Sequence, residues 1–127
     1  MSEAAFAYID QLMQGLGIPY AFMRWNDKDN PLPDYYFVGD YIEEPSLTKE
    51  ESGLQPTTFI LRGFTRKEWL LLEQAKAKIE NAAMKTAILP NGNGIAVFYD
   101  STSTVPTGDM ELKSIKINLK IQEWKVK

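Results

Sequence analysis

The side chains best placed to do chemistry in this sequence are acidic and lie in one stretch. Residues 43–56 hold Glu43, Glu44, Glu50 and Glu51 among Pro45, Gly53 and Pro56. Paired carboxylates can serve as general acid and base, as in glycoside hydrolysis. A polar loop gives them no rigid frame to fix their separation, so the four read better as a solvated acidic patch. A loop of more than about a dozen residues still tends to be functional, which leaves binding open to it. Asp27, Asp29 and Asn30 begin like a calcium loop. That pattern next needs an oxygen ligand, a glycine and a bidentate glutamate, where this chain has Pro31, Leu32 and Val38, so the match fails. The glycines of Pro90-Asn-Gly-Asn-Gly94 do not make a phosphate loop either. A lysine and a hydroxyl residue opening a helix would have to follow, whereas Ile95, Ala96, Val97 and Phe98 open a strand.

Histidine and cysteine are both absent. This removes the commonest general base, thiolate metal sites and disulfide staples. No glycine-framed serine and no carboxylate cluster on a rigid element is present. The sequence therefore yields no catalytic residue, no cofactor site and no metal site; tyrosine, lysine and acid pairs could still do chemistry, but nothing in their spacing asks for it. What it does offer is charge separation. Lys113, Lys116, Lys120, Lys125 and Lys127 gather on the last expected strand and its end, while the glutamates gather in one loop. Two different patches on one chain suit a heterologous contact, in which one patch meets another on the next subunit. The expected assembly contacts are Glu43, Glu44, Glu50 and Glu51 with Lys116 and Lys120.

At 127 residues, 44% apolar and 24% charged, the chain suits one folded domain over 1–127. A net charge of −3 gives little to draw a phosphate backbone, so no specific nucleic-acid binding is expected. No stretch approaches the roughly 20 apolar residues of a membrane span. The N-terminus lacks a basic region followed by an apolar run, so neither a signal peptide nor a membrane segment is expected.

The elements that must position these residues centre on Phe64 to Met84. Thr65 and Glu68 have the spacing of a capping box, and Phe64 and Trp69 that of a hydrophobic staple. Trp69, Leu72, Ala75, Ile79 and Ala83 then recur at helical spacing, so one apolar stripe is to be buried, with Trp69 in it. A shorter helix is expected from an N-cap at Ser2 to a stop at Gly17. Strands are expected at Tyr20–Trp25, Tyr35–Ile42, Thr57–Phe64, Ile95–Tyr99 and Met110–Val126. In the last, Ile115, Ile117, Leu119 and Ile121 alternate with Lys116, Asn118, Lys120 and Gln122, which places the isoleucines inward. Met110, Leu112, Trp124 and Val126 have the opposite parity, which implies bulges near Lys113 and Glu123. The fold class is α+β: a mostly antiparallel or mixed sheet of about five strands, one main helix on one face, and a short N-terminal helix.

The order of these elements resembles the small tail-terminator proteins of long-tailed bacteriophages. The phrases that carry the resemblance are Tyr35-Tyr-Phe-Val-Gly-Asp-Tyr-Ile-Glu-Glu44, Thr57-Thr-Phe-Ile-Leu-Arg-Gly-Phe-Thr-Arg66 before a helix, Gly94-Ile-Ala-Val-Phe-Tyr99, and the closing Ile121-Gln-Glu-Trp-Lys125. The resemblance implies a structural role without enzyme activity: a hexameric ring that caps the tail tube, meets the tube protein and the head-completion protein, and lets DNA pass through its channel. It implies residence in the virion, and in the host cytoplasm during assembly. The alternative is a small α+β ligand-binding or regulatory module without catalysis.

Overall fold

The computed structural model describes residues 2–25, 32–43, 55–83 and 85–125. Ser2 opens the first helix as its residue type predicts. Its Oγ accepts the main-chain N–H of Ala5 at 3.1 Å, satisfying a donor that the first turn leaves free. This helix, α1, spans Glu3–Gly15 and buries Ala5, Ile9 and Met13. It ends at Gly17, which has φ +71°. Gly17 donates to the Gln14 carbonyl and Ile18 to that of Met13, the paired bonds of a Schellman closure, which a left-handed glycine makes without a steric penalty.

The chain continues through β1 (Tyr20–Phe22), β2 (Tyr35–Glu43), β3 (Gln55–Thr65), α2 (Leu70–Ala82), β4 (Lys85–Ile88), β5 (Gly94–Thr104) and β6 (Lys113–Trp124). These strands form one 6-stranded sheet in the order β1-β2-β3-β6-β5-β4. β1 runs parallel to β2 and every other neighbouring pair is antiparallel. The domain is therefore α+β with a mixed sheet.

The alternation in β6 decides which face is covered. Ile115, Ile117, Leu119 and Ile121 are all at most 1% exposed. Ile9 and Met13 from α1 and Leu72 and Ile79 from α2 pack with them and with Phe37, Phe59, Leu61 and Val97 into a single core. Both helices are 13 residues long, so α1 is an equal partner to α2 and not a minor addition. The opposite face, which carries Lys116 and Lys120, has no helix over it among the described residues.

Several local expectations are corrected. The capping box does not form, because Thr65 is still in the sheet, paired with Tyr35 and Lys113. Its hydroxyl donates to the Asp34 carbonyl at 2.7 Å and accepts from the Lys67 N–H at 3.0 Å. Phe64 points to the other face and stacks on Tyr36 at 5.3 Å, so there is no staple to Trp69. α2 opens instead at Trp69, with no side-chain cap. Trp69 is only partly buried against the core, and its Nε1 donates to Glu73 Oε1 at 3.0 Å. Trp69→Ala should then cost about 1 to 2 kcal/mol, the value of a half-buried large side chain and less than that of a core aromatic. Denaturant midpoints at unchanged slope would measure it, and a loss above about 3 kcal/mol would mean that the indole is locked in the core.

β4 is a strand that the sequence reading does not contain, and it raises the count from about five to six. The turn-rich Pro90–Gly94 segment is its hairpin with β5, closed by the Leu89 N–H on the Asn93 carbonyl at 2.7 Å. The bulges expected in β6 are absent. The irregularity lies across from it, between Tyr99 and Ser101 of β5. Met110 and Glu111 belong to the turn before β6, and at its far end the inward position falls to Glu123 and not to Trp124.

Candidate functional site: the uncovered sheet face and its open edge

Pairing register places the outward residues of β2, β3 and β6 side by side. Lys116 lies opposite Arg62 on β3 and Ser103 on β5. Arg62 Nη1 donates to Asp40 Oδ2 on β2 at 2.6 Å. Lys120 is exposed, and its Nζ donates to Thr58 Oγ1 at 3.1 Å. Both lysines therefore face away from the core, as their alternation with the isoleucines requires. Lys113 does not join them. Its position opposite Thr65 belongs to the covered side, and its Nζ donates to the Lys67 carbonyl at 2.6 Å. Glu43 ends β2 and is exposed. Glu44, Glu50 and Glu51, and with them their expected contacts with Lys116 and Lys120, lie outside the described residues. The calcium-like Asp27–Asn30 stretch also lies outside them.

The same face carries an aromatic shelf that the sequence reading does not isolate. Trp25 meets Tyr36 at 5.4 Å between ring centroids, and Tyr36 stacks on Phe64 at 5.3 Å. Tyr36 and Phe64 are cross-strand partners. Their spacing is visible in the chain, but the pairing that unites them is not. Next to this shelf, Arg62 and Asp40 separate two grooves. One, of about 370 Å³, runs past Trp25, Tyr36, Val38 and Phe64. The other, of about 570 Å³, runs past Phe22, Tyr41, Ile42 and Ile60. Both are of a size that takes small ligands or single side chains. Asp40 Oδ1 is shut off from solvent and has no hydrogen-bond partner among the described residues.

A second cluster, centred on a buried carboxylate, pins the fold together. Glu123 is 8% exposed. Its Oε2 accepts from Ser2 Oγ at 2.6 Å and from Asn93 Nδ2 at 2.8 Å, and its Oε1 accepts from the Ser2 N–H at 3.2 Å. Burial alone would raise its pKa, but these hydrogen bonds outweigh that and hold the carboxyl below its ordinary value;. Glu123 thus sets the hydroxyl that caps α1 and ties it to the β4–β5 turn. This is a structural use of the acid.

No group of three or more His, Cys, Asp or Glu able to hold a metal occurs among the described residues. No described helix is long and apolar enough to cross a membrane. Compared with protein-family models and with curated proteins, the chain matches none.

Proposed function

We propose that this chain is a structural assembly subunit that caps the end of a bacteriophage or prophage tail tube as a ring and offers the surface to which the head docks. One observation carries the reading. Among the described residues, the six-stranded sheet has helices on only one face, and the other face presents Arg62, Lys116 and Lys120 beside Tyr36, Phe64 and Ile42. Such a face suits a contact with a different patch on a neighbouring subunit, the geometry from which a closed ring is made. The tube protein and the head-completion protein are the further partners. A mildly acidic chain would let DNA pass through the ring without adhering. The site of action would be the virion and, during assembly, the host cytoplasm.

Reversing both lysines, Lys116→Glu with Lys120→Glu, tests this. The monomer should fold normally, because a glutamate at 116 would face Arg62 and Lys120 is already solvated. Tail completion should fail, since each contact is weak alone but is repeated around the ring and turns repulsive on reversal. Joint Glu50→Lys and Glu51→Lys should recover part of it. Normal tails from the lysine variant, or no recovery with the compensating pair, would sink the reading. The rival, a ligand-binding or regulatory module, predicts a monomer or dimer in solution, and a mass near six copies would exclude that.

A further inference from the structure

Two asparagines in the turn between β4 and β5 each precede a glycine, Asn91 before Gly92 and Asn93 before Gly94. An asparagine so placed can lose its side-chain amide to its own backbone, because a glycine carries no β-carbon to hinder the attack of its nitrogen. By sequence the two sites are alike. The structure separates them. Gly94 opens β5, is paired with Ile88 on one side and Trp124 on the other, and is buried beneath the Trp124 ring. Asn93 is held by its main chain and its side chain. Its carbonyl accepts from the Leu89 N–H at 2.7 Å, and its Nδ2, the nitrogen that would have to leave, donates to Glu123 Oε2 at 2.8 Å.

Asn91 and Gly92 are both exposed. Gly92 has φ +89° and open space where a β-carbon would stand. The bond that restrains its nitrogen, N–H to the Leu89 carbonyl at 2.8 Å, closes an exposed turn and opens by local fraying. The Asn93 N–H meanwhile donates to Asn91 Oδ1 at 3.0 Å. That bond polarises the carbonyl to be attacked and stabilises the negative charge that forms on its oxygen.

We propose that Asn91 is a site of spontaneous deamidation and that the fold shields Asn93 from the same reaction. Hydroxide takes the Gly92 amide proton, the nitrogen bonds to Asn91 Cγ, and the Cγ–Nδ2 bond breaks to release ammonia. A five-membered succinimide is left in the chain. Water then opens either carbonyl of that ring, giving aspartate or isoaspartate at 91, so the net change is one water consumed and one ammonia released. Isoaspartate lengthens the main chain of the turn by one carbon and draws Asn93 away from Glu123. Because Glu123 also holds the Ser2 hydroxyl that caps α1, modification of the turn loosens a helix at the other end of the sequence. The proposal stands whether or not the chain forms a ring.

Incubating the full chain in warm, mildly alkaline buffer, with and without denaturing urea, tests it. Trypsin leaves both asparagines in one fragment, residues 86–113, in which mass spectrometry with backbone fragmentation reads each site. In the folded protein Asn91 should deamidate at least about tenfold faster than Asn93, the protection that a modest opening energy at Gly94 provides. In urea the two should react alike. The folded rate at Asn91 should rise with pH, and Asn91→Gln should remove nearly all of the change in this fragment. The isoaspartyl fraction, separated by its charge, should exchange amide hydrogens in α1 faster than fresh protein does. The proposal is overturned if Asn93 reacts as fast as Asn91 in the folded chain, or if Asn91 reacts only in urea. It is overturned equally if α1 of the isoaspartyl fraction exchanges like that of fresh protein.

Discussion

Phe37→Ala should cost about 3 to 5 kcal/mol, a large share of the roughly 5 to 15 kcal/mol that holds a domain together. Phe37 has no exposed surface, and one side of its ring lies over Gly63, its cross-strand partner on β3. A β-carbon built on Gly63 would sit 2.6 Å from that ring. The pair therefore works as one unit in which the glycine vacates the space that the ring fills. Gly63→Ala in the intact protein should be destabilising, through overpacking and displacement of the ring. In the Phe37→Ala background the same change should be nearly harmless, giving a coupling of about 0.5 to 3 kcal/mol. Urea midpoints of the four variants would measure this. Additive costs would show that the ring and the glycine are independent.

The second large effect belongs to Glu123. Glu123→Gln keeps the shape but removes the charge that accepts from Ser2 and Asn93, so a loss of about 1.5 to 3 kcal/mol is expected. The folded carboxyl ionises below its usual 4.5, so folding favours the ionised form. The stabilisation is complete above that ordinary value and disappears as pH falls through the lower folded one. Wild-type protein should lose stability on acidification over that window, and the Gln variant should lack that part of the loss. Parallel acid limbs for the two proteins would mean that Glu123 titrates as it does in an unfolded chain. Hydrogen exchange should also rise first in α1 of the variant, because its cap is held from this side chain.

How far the sequence specifies all this varies element by element. α1 is legible because Ser2 and Gly17 act locally, through caps that need only their neighbours. β6 is legible because one face is buried along its whole length. Thr65 misleads because pairing on both sides of β3 extends the strand through a motif that would otherwise start a helix, so tertiary hydrogen bonds override a local signal. β4 escapes because most of its residues are exposed and no alternation marks it. Glu123 escapes because hydrophobicity points to Trp124 as the inward residue. That ring instead covers Gly94, its cross-strand neighbour. Within the candidate site, the outward lysines follow from parity alone. The Asp40–Arg62 pair depends on the register of β2 against β3, which no local residue preference anticipates.

The strand order also has a consequence for how the chain is made. The centre of the sheet joins β3 to β6, and partners there, such as Thr58 and Lys120, are 62 residues apart. During synthesis at about 5–20 residues per second, β3 must wait roughly 3 to 12 seconds for its partner to emerge. Until then Phe59 and Leu61 stand beside an unpaired strand edge, the kind of surface on which nascent chains aggregate. α1 and the β4–β5 hairpin are built from near neighbours and can form in the meantime. The late arrival of residues 113–124 makes the C-terminal segment the one that commits this protein to its native state, and a ribosome that stalls shortly before it would release a chain with its core open.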